Sequence, residues 1–147
     1  MTTAVYRYGV LAADSGMFDR DCYCGDVVKV RKSGLYLMTA AGSMACVLKF
    51  FEWVGRGLPE SKDDRPRLSE NFEGLCVNSY GDVTWYGEDL IGQPVKSPYI
   101  AIGSGFKIAM GALAVGATAQ QAVEVCCDLD VYTRRPVVAC SIEELPR

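Results

Sequence analysis

The amino terminus reads Met1-Thr2-Thr3-Ala4, so loss of Met1 would leave a threonine at the head of the chain. Such a residue carries a nucleophile and a base together, the hydroxyl of Thr2 and its own α-amine. A free α-amine has an ordinary pKa of about 7.7–8.0, so part of it is an unprotonated base near neutrality. A threonine hydroxyl is a weak nucleophile and needs a neighbour of this kind. Taken alone, Thr-Thr after Met reads as an ordinary opening to a strand, and residues further along have to decide.

The most useful count is that of histidine, which is zero. That removes Ser-His-Asp and Cys-His catalysis and every zinc site that needs imidazole. Acid–base chemistry near pH 7 then falls to a perturbed lysine, cysteine or carboxylate, or to the α-amine. Seven cysteines without a secretion signal read as thiols of a reducing compartment. Cys22-x-Cys24 and Cys126-Cys127 lack the CxxC spacing of a redox or zinc motif, and read as small buried or half-buried residues.

Half of the 147 residues are hydrophobic and 22% are charged, which suits one packed domain spanning 1–147. A net charge of −3 without a basic patch disfavours nucleic acid as a partner. No apolar run reaches the roughly 18 residues of a membrane span, and the N-terminus is too polar for a signal peptide, so a cytoplasmic location is expected. There is no G-x-x-x-x-G-K-[ST] phosphate loop, so any ATPase acting with this protein has to be another chain.

The elements that must carry these residues follow from periodicity and turn chemistry. Thr3 to Tyr6 and Val10 to Ala13 read as a hairpin around Tyr8-Gly9, which brings Asp14 near the N-terminus. Ser15-Gly16 opens a loop past Asp19, Arg20 and Asp21. A second hairpin runs from Asp26 to Arg31 and from Leu35 to Ala40. Lys29 lies between Val28 and Val30, and is either an edge residue facing water or a buried cation with a task. Gly42-Ser43 ends that hairpin and opens a helix with Met44, Val47, Leu48, Phe51 and Val54 on its apolar face, stopping at Gly55-Arg56-Gly57. Free N–H groups at such a strand-to-helix junction can hold developing negative charge.

Residues 58–71 read as a polar exposed connection. A third hairpin spans Phe72 to Tyr86, and Tyr99 to Ile102 is a strand closed by Gly103-Ser104-Gly105. Helices are expected over Phe106 to Val115 and after the capping box Thr118–Gln121, the latter with Ala122, Val125, Cys126 and Leu129 on one face. Pro136 to Ser141 is the last strand. This order suits an α+β fold of two antiparallel sheets packed face to face with helices outside. Met17, Phe18 and the loop around Cys46 are candidate pocket residues.

The chain resembles the proteasome β-subunit and the bacterial HslV peptidase, which are N-terminal nucleophile hydrolases, and is especially similar to short proteasome-like proteins of phages. The likeness is carried by Thr2-Thr3, Gly9-Val10-Leu11-Ala12-Ala13-Asp14, Val28-Lys29-Val30, Ala40-Ala41-Gly42-Ser43, Ala101-Ile102-Gly103-Ser104-Gly105 and Asp130-Val131-Tyr132-Thr133. It implies a four-layer αββα sandwich, with one outer helix layer reduced because residues 58–71 are too short and proline-rich for a second helix. It implies Thr2 as nucleophile, Lys29 beside it, and Asp14 pairing with Lys29. Gly42, with Ser43, would bind the oxyanion, and Ser104, Asp130 and Thr133 would surround the α-amine.

The activity implied is that of a threonine-type endopeptidase on polypeptide substrates, without a cofactor or metal. A homo-oligomer, with a ring as one form, and a separate ATPase unfoldase are the implied partners, in a bacterial or phage-infected cytoplasm. A non-catalytic relative that modulates a protease assembly and a small-molecule amidase are the alternatives, since fold does not fix substrate.

Overall fold

A computed structural model describes residues 1–147. The first hairpin is β1 (Thr3–Arg7) and β2 (Val10–Ala13), with Ala4 opposite Ala13. Along β1 the side chains alternate as a pleated strand requires. Ala4 and Tyr6 enter one apolar cluster, and Val5 enters another on the opposite face. β10 (Tyr99–Gly103) joins the outer side of β1 with Thr3 opposite Gly103, and β11 (Val138–Ser141) joins β2. The sheet order is therefore β10-β1-β2-β11, all antiparallel.

A second antiparallel sheet holds β5 (Val30–Ser33), β6 (Tyr36–Ala41), β7 (Glu73–Asn78), β8 (Val83–Tyr86) and the short β9 (Gln93–Pro94), in that order. One apolar cluster draws on both sheets, with Ala4, Leu11 and Ile102 from the first and Leu37, Leu75 and Val77 from the second. The other face of the first sheet carries α2 (Phe106–Ala114) and α3 (Ala119–Leu129), through Ala109, Leu113, Ala122, Val123 and Cys126. The capping box at Thr118 and Gln121 forms as expected, with Gln121 N donating to Thr118 Oγ1 at 3.1 Å and Thr118 N to Gln121 Oε1 at 2.9 Å.

The outer face of the second sheet carries α1 (Met44–Gly55), capped by Ser43, whose Oγ accepts from Cys46 N at 3.3 Å. Phe50 is fully buried at the centre of this cluster, with ring centroids 5.2 Å from Phe72, 5.7 Å from Tyr86 and 6.1 Å from Trp53. Its ring lies over Gly74, where an added Cβ would approach to 2.7 Å, so the sheet leaves a gap that the aromatic fills. No second helix accompanies α1. The 58–71 connection covers part of this face, with Leu58 and Leu68 packed on the cluster and Pro59 accepting the Trp53 indole N–H at 3.1 Å. Leu90, from the loop after β8, is buried in the same cluster.

Three sequence expectations need correction. The stretch after Ser15 is a hairpin, β3 (Gly16–Asp19) and β4 (Cys22–Asp26), and not a loop. Its strands have few buried residues, so no apolar alternation marks them. Edge-on aromatic packing holds it, with Phe18 5.9 Å from Tyr23 and 5.5 Å from Tyr132. The buried face of α1 is Cys46, Val47, Phe50, Phe51, Trp53 and Val54, while Met44 and Leu48 lie exposed. On α3, Val123 is buried, whereas Leu129 is 68% exposed.

Truncating the aromatic hub tests this packing. Phe50→Ala is expected to lower unfolding stability by about 3–5 kcal/mol, read by urea denaturation. Phe106→Ala, at a half-exposed position of α2, should change it by about 0.5 kcal/mol or less.

Candidate active site

The site is assembled around the end of the first hairpin. Pairing of β1 with β2 brings Asp14 back to Thr3, where Asp14 N donates to Thr3 O at 3.1 Å and Thr3 N donates to Asp14 Oδ1 at 3.0 Å. The same oxygen accepts from Lys29 Nζ at 3.0 Å. Its partner oxygen, Oδ2, accepts from Gly16 N at 3.2 Å and Arg134 N at 3.1 Å. Asp14 is fully buried and Lys29 is 6% exposed. A buried carboxylate with four donors on it is a satisfied charge, as burial demands.

Lys29 is therefore the buried cation of the two readings. Thr39 fixes its backbone, Oγ1 donating to Lys29 O at 2.8 Å. Its ammonium also donates to the Met1 carbonyl at 2.7 Å, the carbonyl of the peptide bond that engages the Thr2 nitrogen. Burial pushes the Lys29 pKa below its ordinary value, and Asp14 opposes that shift.

Ser104, Asp130 and Thr133 meet on the other side of the strand end. Asp130 Oδ2 accepts from Ser104 Oγ at 2.8 Å and from Thr133 Oγ1 at 2.5 Å. Ser104 N donates to Thr2 O at 2.7 Å. Gly103 permits that approach: its φ is +94°, and a Cβ there would fall 1.7 Å from Thr2 O. With Met1 attached, this network engages the Thr2 carbonyl rather than a free amine.

Gly42, with φ +144°, follows β6 on the opposite wall, and its N–H donates to no other group of the protein. Thr2, Lys29, Gly42, Ser43 and Ser104 all line one cavity of about 700 Å³. Met17 and Phe18 line it as anticipated; Cys46 does not, but its neighbours Met44 and Val47 do. Asp14, Asp130 and Thr133 stand behind this lining.

Sequence reasoning missed two positioning residues. Thr3 Oγ1 lies 2.7 Å from Thr133 Oγ1 and accepts from Gly105 N at 3.0 Å, tying β1 to both flanking segments. Thr39, a buried hydroxyl within an apolar strand, is the other. In both cases the available signal was a polar residue at a position whose neighbours alternate into the core.

No family model and no curated protein matches the chain. Solved structures do. Thiobacillus denitrificans BPH in complex with epoxomicin is 17% identical, with 95% of this chain and 96% of that one covered at a TM-score of 0.70. Thiobacillus denitrificans BPH is also 17% identical, with 95% of each chain covered at a TM-score of 0.67. The likeness spans nearly the whole chain and shows a shared fold.

The carboxylate and the lysine should differ in their structural weight. Asp14→Ala strips an acceptor from three backbone N–H groups as well as from Lys29, and is expected to cost about 3–5 kcal/mol. Lys29→Ala leaves Asp14 with its three backbone donors and should cost about 1–3 kcal/mol. Equilibrium denaturation of the two variants reads this order directly, and an inverted order would show that the ion pair dominates over the backbone bonds.

Proposed function

We propose that the protein is a threonine-type endopeptidase of the proteasome and HslV kind, with Thr2 as nucleophile once Met1 is removed. The helix pair, two sheets and single helix then correspond to the αββα arrangement of N-terminal nucleophile hydrolases with one outer layer reduced. The observation that carries the reading is Lys29, a buried ammonium locked to Asp14 and bonded to the carbonyl that blocks the Thr2 nitrogen. BPH, the similarly folded protein, is found with epoxomicin, an inhibitor of proteasomes, which supports the same class.

In the proposed reaction, the Thr2 hydroxyl oxygen attacks the carbonyl carbon of the substrate amide. Its proton passes to the free α-amine of Thr2. The Lys29 charge lowers the hydroxyl pKa and discourages protonation of that amine. The carbonyl oxygen becomes an oxyanion and takes a hydrogen bond from the free Gly42 N–H, a donor worth about 10²–10³-fold in rate. The leaving nitrogen takes the proton, the C–N bond breaks, and an ester to Thr2 remains. Water then attacks the ester with the α-amine as base, and releases the acid. Ser104, Asp130 and Thr133 hold the Thr2 backbone and the amine's surroundings in place through both halves of the cycle. No cofactor is required, and the substrate is a polypeptide. Homo-oligomer assembly belongs to the same proposal.

The test begins with the intact mass of untagged protein. Loss of one methionine is expected, together with hydrolysis of a fluorogenic peptide panel that Lys29→Ala abolishes. Full retention of Met1 without turnover would overturn the reading and leave a non-catalytic binding protein as the better account, while turnover that survives Lys29→Ala would overturn the mechanism built on Lys29.

The pH profile gives a separate check. Activity needs the α-amine neutral and Lys29 charged, so kcat/KM should be bell-shaped. Burial lowers the Lys29 pKa, so charge is lost on raising the pH through a value below the ordinary 10.5, and the alkaline limb should fall there. A rate that stays flat through the ordinary lysine value of 10.5 would remove Lys29 from the mechanism.

A further inference from the structure

We propose that the cavity beside Thr2 selects a substrate side chain bearing a carboxylate, and that Arg31 is the residue that reads it. The inference rests on the peptidase reading and adds the substrate class. The cavity holds about 700 Å³, room for a long side chain, and its walls are largely apolar, including Met17, Phe18, Val28, Met44, Leu48 and Phe51.

Its charged lining is one-sided. Lys29, Arg20 and Arg31 face one acid, Glu73. The Lys29 charge is already matched by Asp14 at 3.0 Å. Glu73 Oε2 accepts the Gly103 N–H at 3.2 Å, on the far side of the site from β5. Neither Arg31 nor Arg20 forms an ion pair. The cavity therefore carries uncompensated positive charge in an apolar wall.

Arg31 is also oriented. It follows Val30, which enters the core between the sheets, so Arg31 leaves β5 on the other face, and it lines the same cavity as Lys29. Its guanidinium carbon stands 4.8 Å from the Phe51 ring centroid, a cation–π contact that anchors the group against α1 and leaves its N–H groups without a partner in the protein. A planar fork held in this way is suited to bidentate binding of a carboxylate. A neutral apolar side chain would fill the walls but shield Arg31 from water without pairing it. A lysine side chain would bring a like charge beside Arg31 and Lys29.

The experiment uses mature protein, with Met1 removal verified by mass. Fluorogenic peptides differ only in the residue before the cleaved bond, which is Glu, Gln, Leu or Lys. Glutamate and glutamine match in shape, so their kcat/KM ratio isolates charge. Glu is expected to exceed Gln by about tenfold and Lys by about a hundredfold, shrinking with added salt. Arg31→Met keeps a stem to pack on Phe51 and should bring the Glu-to-Gln ratio near one, while Arg31→Glu should place Lys above Glu. A parent ratio of one or less, or a ratio that survives in Arg31→Met, overturns the assignment and leaves the peptidase reading standing. Mature protein that hydrolyses none of the four peptides overturns both.

Discussion

The structure hangs on the Asp14 carboxylate. It is fully buried, and its two oxygens take hydrogen bonds from Thr3 N, Lys29 Nζ, Gly16 N and Arg134 N. Those four donors come from β1, from the segment before β5, from the start of β3 and from the segment before β11. One side chain thus gathers the N-terminal strand, the lysine, the start of β3 and the segment before β11 into one place. A buried carboxylate is tolerated only when donors replace its lost water. Here the backbone supplies three of them, so the charge is anchored by the fold itself. The lysine is free to present its remaining N–H groups to the N-terminus, and chemistry at Thr2 depends on that arrangement.

Much of this was legible in the sequence. The tight Tyr8-Gly9 turn fixes which residues of the first hairpin face each other, and so places Asp14 beside Thr3. The strand-glycine-serine-helix run at Ala41 to Met44 places Gly42 at a helix start. The capping box announces α3. What stayed hidden depends on partners far apart in the chain. The β3–β4 hairpin buries few of its residues and is held by Tyr132, over a hundred residues away, so no local period reveals it. Arg31 carries no signal of its own in the sequence; only folding sets it over Phe51, twenty residues on.

The helix α1 shows why a periodic pattern alone misplaces a face. Met44 and Leu48 have the spacing of core residues, yet they are 41% and 46% exposed. Both line the cavity instead. The apolar stripe on this helix is wider than the core needs, and the excess forms a wall of the site. The same helix lacks a companion, and the connection over residues 58–71 together with Leu90 covers its cluster with loops. A loop needs fewer residues than a helix and a turn to cover that apolar area, which is how the layer can be reduced without exposing Phe50 or Trp53.

The central claim is that Thr2, with a free amine, is the reacting group, and the most direct measurement is where a threonine-directed electrophile attaches. Untagged protein would be treated with an epoxyketone, digested and mapped by mass spectrometry. One adduct per chain is expected, on the peptide beginning at Thr2 and lost in Thr2→Ala. An unmodified N-terminal peptide, or an adduct on a cysteine such as Cys22 or Cys24 in its place, would contradict it.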